Sequence, residues 1–327
     1  MISVVVPIYN EEEVIIAFHQ ALEAALENIG EHAEIVYVND GSTDASLSLL
    51  FGLQEQDRRV IIVELSRNFG HQAALTAGLQ IARGDAVIMM DGDFQDPPQI
   101  LPQLVAAWRS GAKVVIARRT RRAEKGIKGH MFSLFYKVLG ILSDFPIPLN
   151  AGIFGLLDRQ AADTVNNLQE SNRYLPGLRS WIGFPTAVVL YERAGRLSGK
   201  PKQNLRRLFK YSMDAIFSFS FKPLRLGLIS GGMLFALSLL MGIAFLIGGW
   251  LGWTPFASSS FSVILFCVLL LGAVQLISIG LLGEYIGRIY DEVRRRPLYV
   301  IHKVHQVEIV EQTVPIPTLF SKQTPAA

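Results

Sequence analysis

Asp91, Asp93 and Gln95 occupy alternate positions in the run Asp91-Gly-Asp-Phe-Gln-Asp-Pro-Pro98, directly after the hydrophobic stretch Asp85-Ala-Val-Ile-Met-Met90. Two carboxylates and an amide oxygen on a tight loop are hard ligands of the kind Mg2+ or Mn2+ takes while it also holds a diphosphate. A bare pair of aspartates after a strand is usually only a turn. Here two more polar clusters, Asn10-Glu11 and Asn39-Asp40-Gly41-Ser42, also follow hydrophobic runs, and this context favours a metal. No Gly-x-Gly-x-x-Gly follows the first such run and no Gly-x-x-x-x-Gly-Lys-Ser/Thr occurs, so neither a dinucleotide fingerprint nor a P-loop is indicated. Phosphate charge must then be met by a cation and by Arg or Lys side chains.

The elements that would carry these clusters are legible in the hydrophobic pattern. Ser3 to Tyr9 is a β-branched run, and Glu11 to Ile29 has helical apolar spacing that ends near Gly30. The alternation repeats with strands at Glu34–Asn39, Val60–Leu65 and Asp85–Met90 and helices at Asp44–Leu53 and His71–Ala82. A fifth strand is expected at Lys113–Ala117, with further strand and helix between 151 and 191. Strands alternating with helices of this length predict an α/β domain with a mainly parallel sheet, whose ligands bind beyond the carboxyl ends of the strands. All three polar clusters fall at that edge. Amphipathic segments are expected at Met131–Leu142 and Asn204–Phe219, and strand-like residues 298 to 310 could pair with a neighbouring subunit's sheet edge.

The 327 residues are 50% apolar, and the excess is localised. Neither Leu226–Trp253 nor Thr254–Gly283 contains a charged residue, so two transmembrane helices are expected. Lys222 and Arg225 precede them and Arg288 and Arg294 to Arg296 follow, which places both chain ends in the cytoplasm; Phe217, Phe219 and Phe221 would anchor the interface. The start Met1-Ile-Ser-Val has no basic leader. The expected plan is a cytoplasmic catalytic domain over 1–200, a juxtamembrane helix over 201–223, two spans over 224–290 and a tail over 291–327, in a multi-pass protein of the plasma (inner) membrane.

Charge is divided along the chain. Residues 1–110 hold 5 Lys/Arg against 16 Asp/Glu, whereas residues 111–225 hold 20 against 7. The acidic part suits a metal and the basic part suits phosphates and an anionic membrane face; nothing points to nucleic acid. The single cysteine, Cys267, excludes a disulfide framework within one chain. His71, His130, His302 and His305 lack metal spacing and are taken as surface or packing residues.

Val5-Val-Pro-Ile-Tyr-Asn-Glu-Glu12, Val38-Asn-Asp-Gly-Ser-Thr-Asp44, Leu65-Ser-Arg-Asn-Phe-Gly-His-Gln72 and the Asp91 run resemble, in order, the signatures of family 2 glycosyltransferases of the dolichol-phosphate mannose synthase type, and especially the bacterial bactoprenol glucosyltransferases. The resemblance implies a GT-A domain that transfers a hexose, with glucose from UDP-glucose as first expectation, onto a polyprenyl phosphate. It implies that Pro7, Tyr9, Asn10, Glu11, Asp40 and Ser42 line the nucleoside pocket and that Asp91, Asp93 and Gln95 hold Mg2+ or Mn2+ with the donor diphosphate. Arg118, Arg119, Lys128 and Ser133 match positions that receive the lipid phosphate, and Arg193, Ser198 and Lys200 resemble a donor-side basic loop. A homo-oligomer, with a tetramer favoured, is also implied. One departure is Asn150-Ala-Gly-Ile-Phe154, where relatives often carry two carboxylates; Asp158 beyond it reads as a helix cap.

The expected chemistry follows from charge. A phosphate monoester is mostly dianionic at neutral pH, so the acceptor needs positioning rather than a general base. Catalysis would rest on Asp91, Asp93, Arg119 and Lys128, with inversion at the anomeric carbon. A processive polysaccharide synthase would share the early motifs, but it usually carries Gln-x-x-Arg-Trp and more spans, and that motif is absent. A non-catalytic membrane scaffold or flippase component has no physical reason to keep the polar residues together.

Overall fold

The computed structural model describes residues 1–120, 151–168, 170, 173–192, scattered positions between 224 and 250, and 260–306. The chain runs β1 (Ile2–Ile8), α1 (Ile15–Ile29), β2 (Ala33–Asn39), α2 (Ser46–Gln56), β3 (Val60–Leu65), α3 (His71–Ile81), β4 (Ala86–Met89), a 3-10 turn (Pro98–Ile100) and α4 (Leu101–Arg109). Then come β5 (Val114–Arg119), β6 (Ala151–Asp158), α5 (Arg159–Asn167), α6 (Leu175–Trp181), β7 (Thr186–Tyr191), α7 (Ser260–Arg294) and β8 (Ile301–His305).

The strands form one sheet in the order β7-β5-β6-β4-β1-β2-β3-β8. β1 pairs in parallel with β2 and β4, β2 with β3, and β5 with β7. β6 runs antiparallel between β4 and β5, so the sheet is mixed in its second half. Alternate residues of the central strands bury into two separate cores. Val4, Val6 and Tyr37 pack with Phe18, Leu22, Leu50 and Leu104 on the face covered by α1, α2 and α4. Val5, Val36 and Val38 pack with Leu75, Leu79, Ala161 and Leu178 under α3, α5 and α6. Burial on both faces explains why these strands are continuous Val/Ile runs rather than alternating ones. This is the α/β architecture with a mainly parallel sheet that the alternating strand and helix pattern predicts.

Local signals act where they were expected. Gly30 caps α1 in the left-handed region at φ 68°, its N–H donating to the carbonyls of Leu26 and Glu27. Asp158 caps α5 by accepting from the Gln160 N–H at 3.1 Å, and also accepts from Trp108 Nε1 at 2.9 Å.

The strand-like C-terminal segment forms β8, which pairs antiparallel with β3 of the same chain; Val63 faces Val304, and Gln54 Nε2 donates to the His305 carbonyl at 2.8 Å. β3 is the edge left open by the parallel strands, and a segment only a few residues beyond α7 reaches it at once. Residues 307–310 lie outside the described residues. Among those described, one helix is long and apolar enough to cross a membrane, over Leu270–Arg294 within α7. Its large side chains face outward, with Leu276 72% and Ile277 68% exposed. The first expected span falls mostly outside the described residues; its described positions between Leu224 and Trp250 are helical.

Candidate active site

The loops after β1, β2, β3 and β4 meet at the carboxyl edge of the sheet, and hydrogen bonds between them fix their relative positions. The Asn10 N–H donates to Ser42 Oγ at 3.1 Å, the Thr43 N–H donates to Asn10 Oδ1 at 2.8 Å, and the Glu11 N–H donates to Ser46 Oγ at 2.9 Å. Asn10 adopts φ 55°, a left-handed conformation that asparagine tolerates. Asp40, 3% exposed, accepts from the backbone N–H groups of Phe69 at 2.7 Å and Gly70 at 3.0 Å. Burial raises the Asp40 pKa against the lowering effect of those two donors. Gly41 lies at φ 67°, and a Cβ there would fall 2.6 Å from Arg67 C and Asn68 N, so the β2 and β3 loops touch backbone to backbone.

The structure therefore brings Pro7, Tyr9, Asn10, Glu11, Asp40 and Ser42 together. Asn10, Asp40 and Ser42 spend side-chain atoms on holding the loops. Tyr9 presents a ring that is 41% exposed at the same rim.

The acidic loop follows β4. Gly92 sits where a Cβ would come within 3.0 Å of Ile8 Cδ1, which keeps the loop close over β1. Phe94 turns back at φ 59° and sets its ring edge-on against Phe18, with centroids 5.5 Å apart. Asp93 Oδ1 accepts from the Gln95 N–H at 3.1 Å. Asp91 Oδ1 lies 2.7 Å from His71 Nε2 at the start of α3. Burial works against a charged His71, but Asp91, with Asp40 and Asp93 behind it, outweighs burial and raises the imidazole pKa.

Two features test whether a divalent cation fits here. Gln95 is 4% exposed and its Nε2 is buried without a partner; that nitrogen is a donor and offers nothing to a cation, so only the amide oxygen could serve as a ligand. Among the described residues no cluster of three or more His, Cys, Asp or Glu side chains could cage a metal by itself. The two carboxylates of the loop, Asp91 and Asp93, would fit an ion bound by one or two carboxylates and substrate phosphates rather than one caged by protein alone.

A second charged group adjoins the loop. Tyr191, at the end of β7, donates to Asp96 Oδ1 at 2.5 Å, and Arg119 Nε donates to the Tyr191 hydroxyl at 3.0 Å. Arg119 Nη2 is 3.7 Å from Asp96 Oδ1. Burial and then Asp96 push the Tyr191 pKa up. Arg119 is held against the acidic loop by these contacts, while its neighbour Arg118 is exposed. Lys128, Ser133, Arg193, Ser198 and Lys200, and both expected amphipathic segments, lie outside the described residues.

The segment that departs from the expected carboxylates opens β6 beside Arg119. Beneath it Arg179, 2% exposed, donates to the carbonyls of Gly152 at 2.9 Å and Ile153 at 3.0 Å. Burial lowers its pKa to about 10. Gly155 makes room for that guanidinium, since a Cβ would fall 2.9 Å from Arg179 Nη1.

His71, Tyr191 and Arg179 were not singled out as functional from the sequence. For His71 the signal was present, since it sits in the fourth matching stretch and opens a helix at the loop edge. For Tyr191 and Arg179 no spacing announces the contact.

The glycosyl transferase family 2 model matches residues 3–165, which spans all of these loops. The uncharacterized glycosyltransferase YkcC of Bacillus subtilis (strain 168) is 39% identical over 94% of this chain and 94% of its own. The SfII prophage-derived bactoprenol glucosyl transferase of Shigella flexneri is 40% identical over 93% of this chain and 98% of its own. The prophage bactoprenol glucosyl transferase homolog of Escherichia coli (strain K12) is 38% identical over 93% and 99%. With likeness of this extent along both chains, the protein belongs to glycosyl transferase family 2, in the group that includes the bactoprenol glucosyl transferases.

Proposed function

We propose that the protein transfers a hexose, with glucose from UDP-glucose as the leading candidate, to a polyprenyl phosphate, with inversion at the anomeric carbon. The observation that carries this reading is the convergence of the β1, β2, β3 and β4 loops on Asp91 and Asp93 beside the Arg119 group. The names of the bactoprenol glucosyl transferases favour glucose and a polyprenyl phosphate.

In this reading Tyr9 and the Asn10–Ser42 junction receive the nucleoside, and Asp40 keeps the β3 loop folded against them. Asp91, Asp93 and Gln95 would hold Mg2+ or Mn2+, which supplies charge neutralisation for the leaving diphosphate. A phosphate oxygen of the lipid attacks the anomeric carbon. The bond from that carbon to the diphosphate oxygen breaks, and the nucleoside diphosphate leaves with the bonding pair. The acceptor is already mostly dianionic at neutral pH, so no side chain need remove a proton. Arg119, with Arg118 and the basic segment after it, positions the acceptor phosphate and screens its charge from the donor's. The apolar surface of α7 is covered by bilayer, a second span precedes it, and the catalytic domain lies on the cytoplasmic side with the lipid carrier.

The test is to give purified protein polyprenyl phosphate with radiolabelled UDP-glucose, UDP-GlcNAc or GDP-mannose in separate reactions. Label should enter the lipid phase from UDP-glucose. No lipid-linked label from any of the three would overturn the assignment.

A further inference from the structure

His71 has a place in the site beyond packing. Its backbone is pinned from behind. Asp40 grips the N–H groups of Phe69 and Gly70 at 2.7 and 3.0 Å, and Gly70 takes φ 97°, a conformation that L side chains rarely adopt. The Gly70 carbonyl accepts from Ala73 and Ala74, which starts α3 at His71 itself. The imidazole therefore leaves a fixed point and reaches across to the β4 loop, where Nε2 stands 2.7 Å from Asp91 Oδ1. That distance belongs to a charge-assisted hydrogen bond.

Building on the donor-site reading above, we propose that His71 is a positioning residue for the cation site: it fixes the Asp91 carboxylate through Oδ1. Polar groups behind metal ligands set the orientation of those ligands, and losing one typically weakens metal affinity 10–100-fold. Asp40, Gly70, His71 and Asp91 then form a continuous run of contacts from the end of β2, through the start of α3, to the end of β4. It also gives Asp40 a role that does not require contact with the nucleoside, because its carboxylate sets where the imidazole begins.

The experiment measures Mn2+ binding by the loss of the free-ion electron paramagnetic resonance signal. Full-length protein in detergent is titrated in the presence of UDP, and in a second series of GDP. His71→Leu keeps a side chain of useful size but no donor; His71→Gln offers an amide N–H at similar reach. Mn2+ affinity should fall roughly 10–100-fold in His71→Leu and stay within a few-fold of wild type in His71→Gln. Both variants should melt at the wild-type temperature. If His71→Leu binds Mn2+ as wild type does, or if His71→Gln is as impaired as His71→Leu, the positioning role is wrong. Should wild type itself fail to bind Mn2+ with either nucleotide, the donor-site reading falls and takes this inference with it.

Discussion

Tyr191 and Asp96 are 95 positions apart in sequence, yet the phenol donates to the carboxylate across 2.5 Å in the interior of the domain. This contact ties β7, at one edge of the sheet, to the acidic loop at its centre, and Arg119 closes the group from the side. Removing a buried hydrogen-bond donor costs about 1–3 kcal/mol. Tyr191→Phe should therefore lower the melting temperature by several degrees. It should reduce turnover more than donor affinity, because Arg119 loses the hydroxyl that orients it. Calorimetry and steady-state kinetics on one preparation check both parts; unchanged melting and turnover would show that the contact has no such role.

Two glycines separate backbone strain from loop contact. Gly30 and Gly41 share nearly the same φ, 68° and 67°, but a Cβ at Gly30 meets nothing within 4 Å while one at Gly41 strikes the Arg67–Asn68 backbone. Gly30→Ala should cost about 1–2 kcal/mol, the penalty for a left-handed alanine. Gly41→Ala adds a clash that must part the β2 and β3 loops. It should lose nucleotide binding as well as stability, whereas Gly30→Ala should bind normally. Melting curves with and without nucleotide distinguish the two.

Acid should destabilise the domain in two separate stages. His19 is buried, with Nδ1 3.0 Å from the Tyr37 hydroxyl and Nε2 3.6 Å from Asp57. Burial lowers its pKa despite the opposing pull of Asp57 and Glu23. The unfolded chain therefore takes up that proton first, and stability falls as pH drops below the ordinary histidine value of 6.5. Asp57 and Asp158 are depressed: burial opposes their charge, but Arg59 in one case and Trp108, the Gln160 N–H and Lys113 in the other outweigh it. Their contribution is present above the ordinary value of 3.8 and is lost only in stronger acid. Measured against His19→Asn, the wild-type denaturant midpoint should hold a constant offset above about pH 7 and lose it toward pH 5, and both proteins should fall below pH 4. The raised His71 pKa acts in the opposite sense in both, its contribution being lost as pH rises through it. His19→Asn should remove the first step and leave the second.

Much of the sheet was legible because β1 to β5 are short Val/Ile runs separated by helices, and the residues facing the site come directly after them. Asp91, Asp93, Asn10 and Ser42 could be placed at one edge for that reason. The position and direction of β6 were not legible, since a strand buried on both faces looks alike whichever way it runs. Nor could β8 be assigned, because a strand pattern suited to a sheet edge does not say whose edge it joins. The pairings of His71 with Asp91 and Tyr191 with Asp96 depend on which loops lie side by side, which only the strand order β7-β5-β6-β4-β1-β2-β3-β8 decides.

The proposed function requires Asp91 and Asp93 to hold the donor diphosphate through a divalent cation. Equilibrium binding of UDP-glucose to the purified protein, with Mn2+ or with EDTA, tests it most directly when wild type is set beside Asp93→Ala. Binding should be saturable with Mn2+ and abolished by EDTA, and it should be at least tenfold weaker in a folded Asp93→Ala protein. Equal affinity in EDTA, or undiminished Mn2+-dependent binding by Asp93→Ala, would overturn the metal role of these two aspartates.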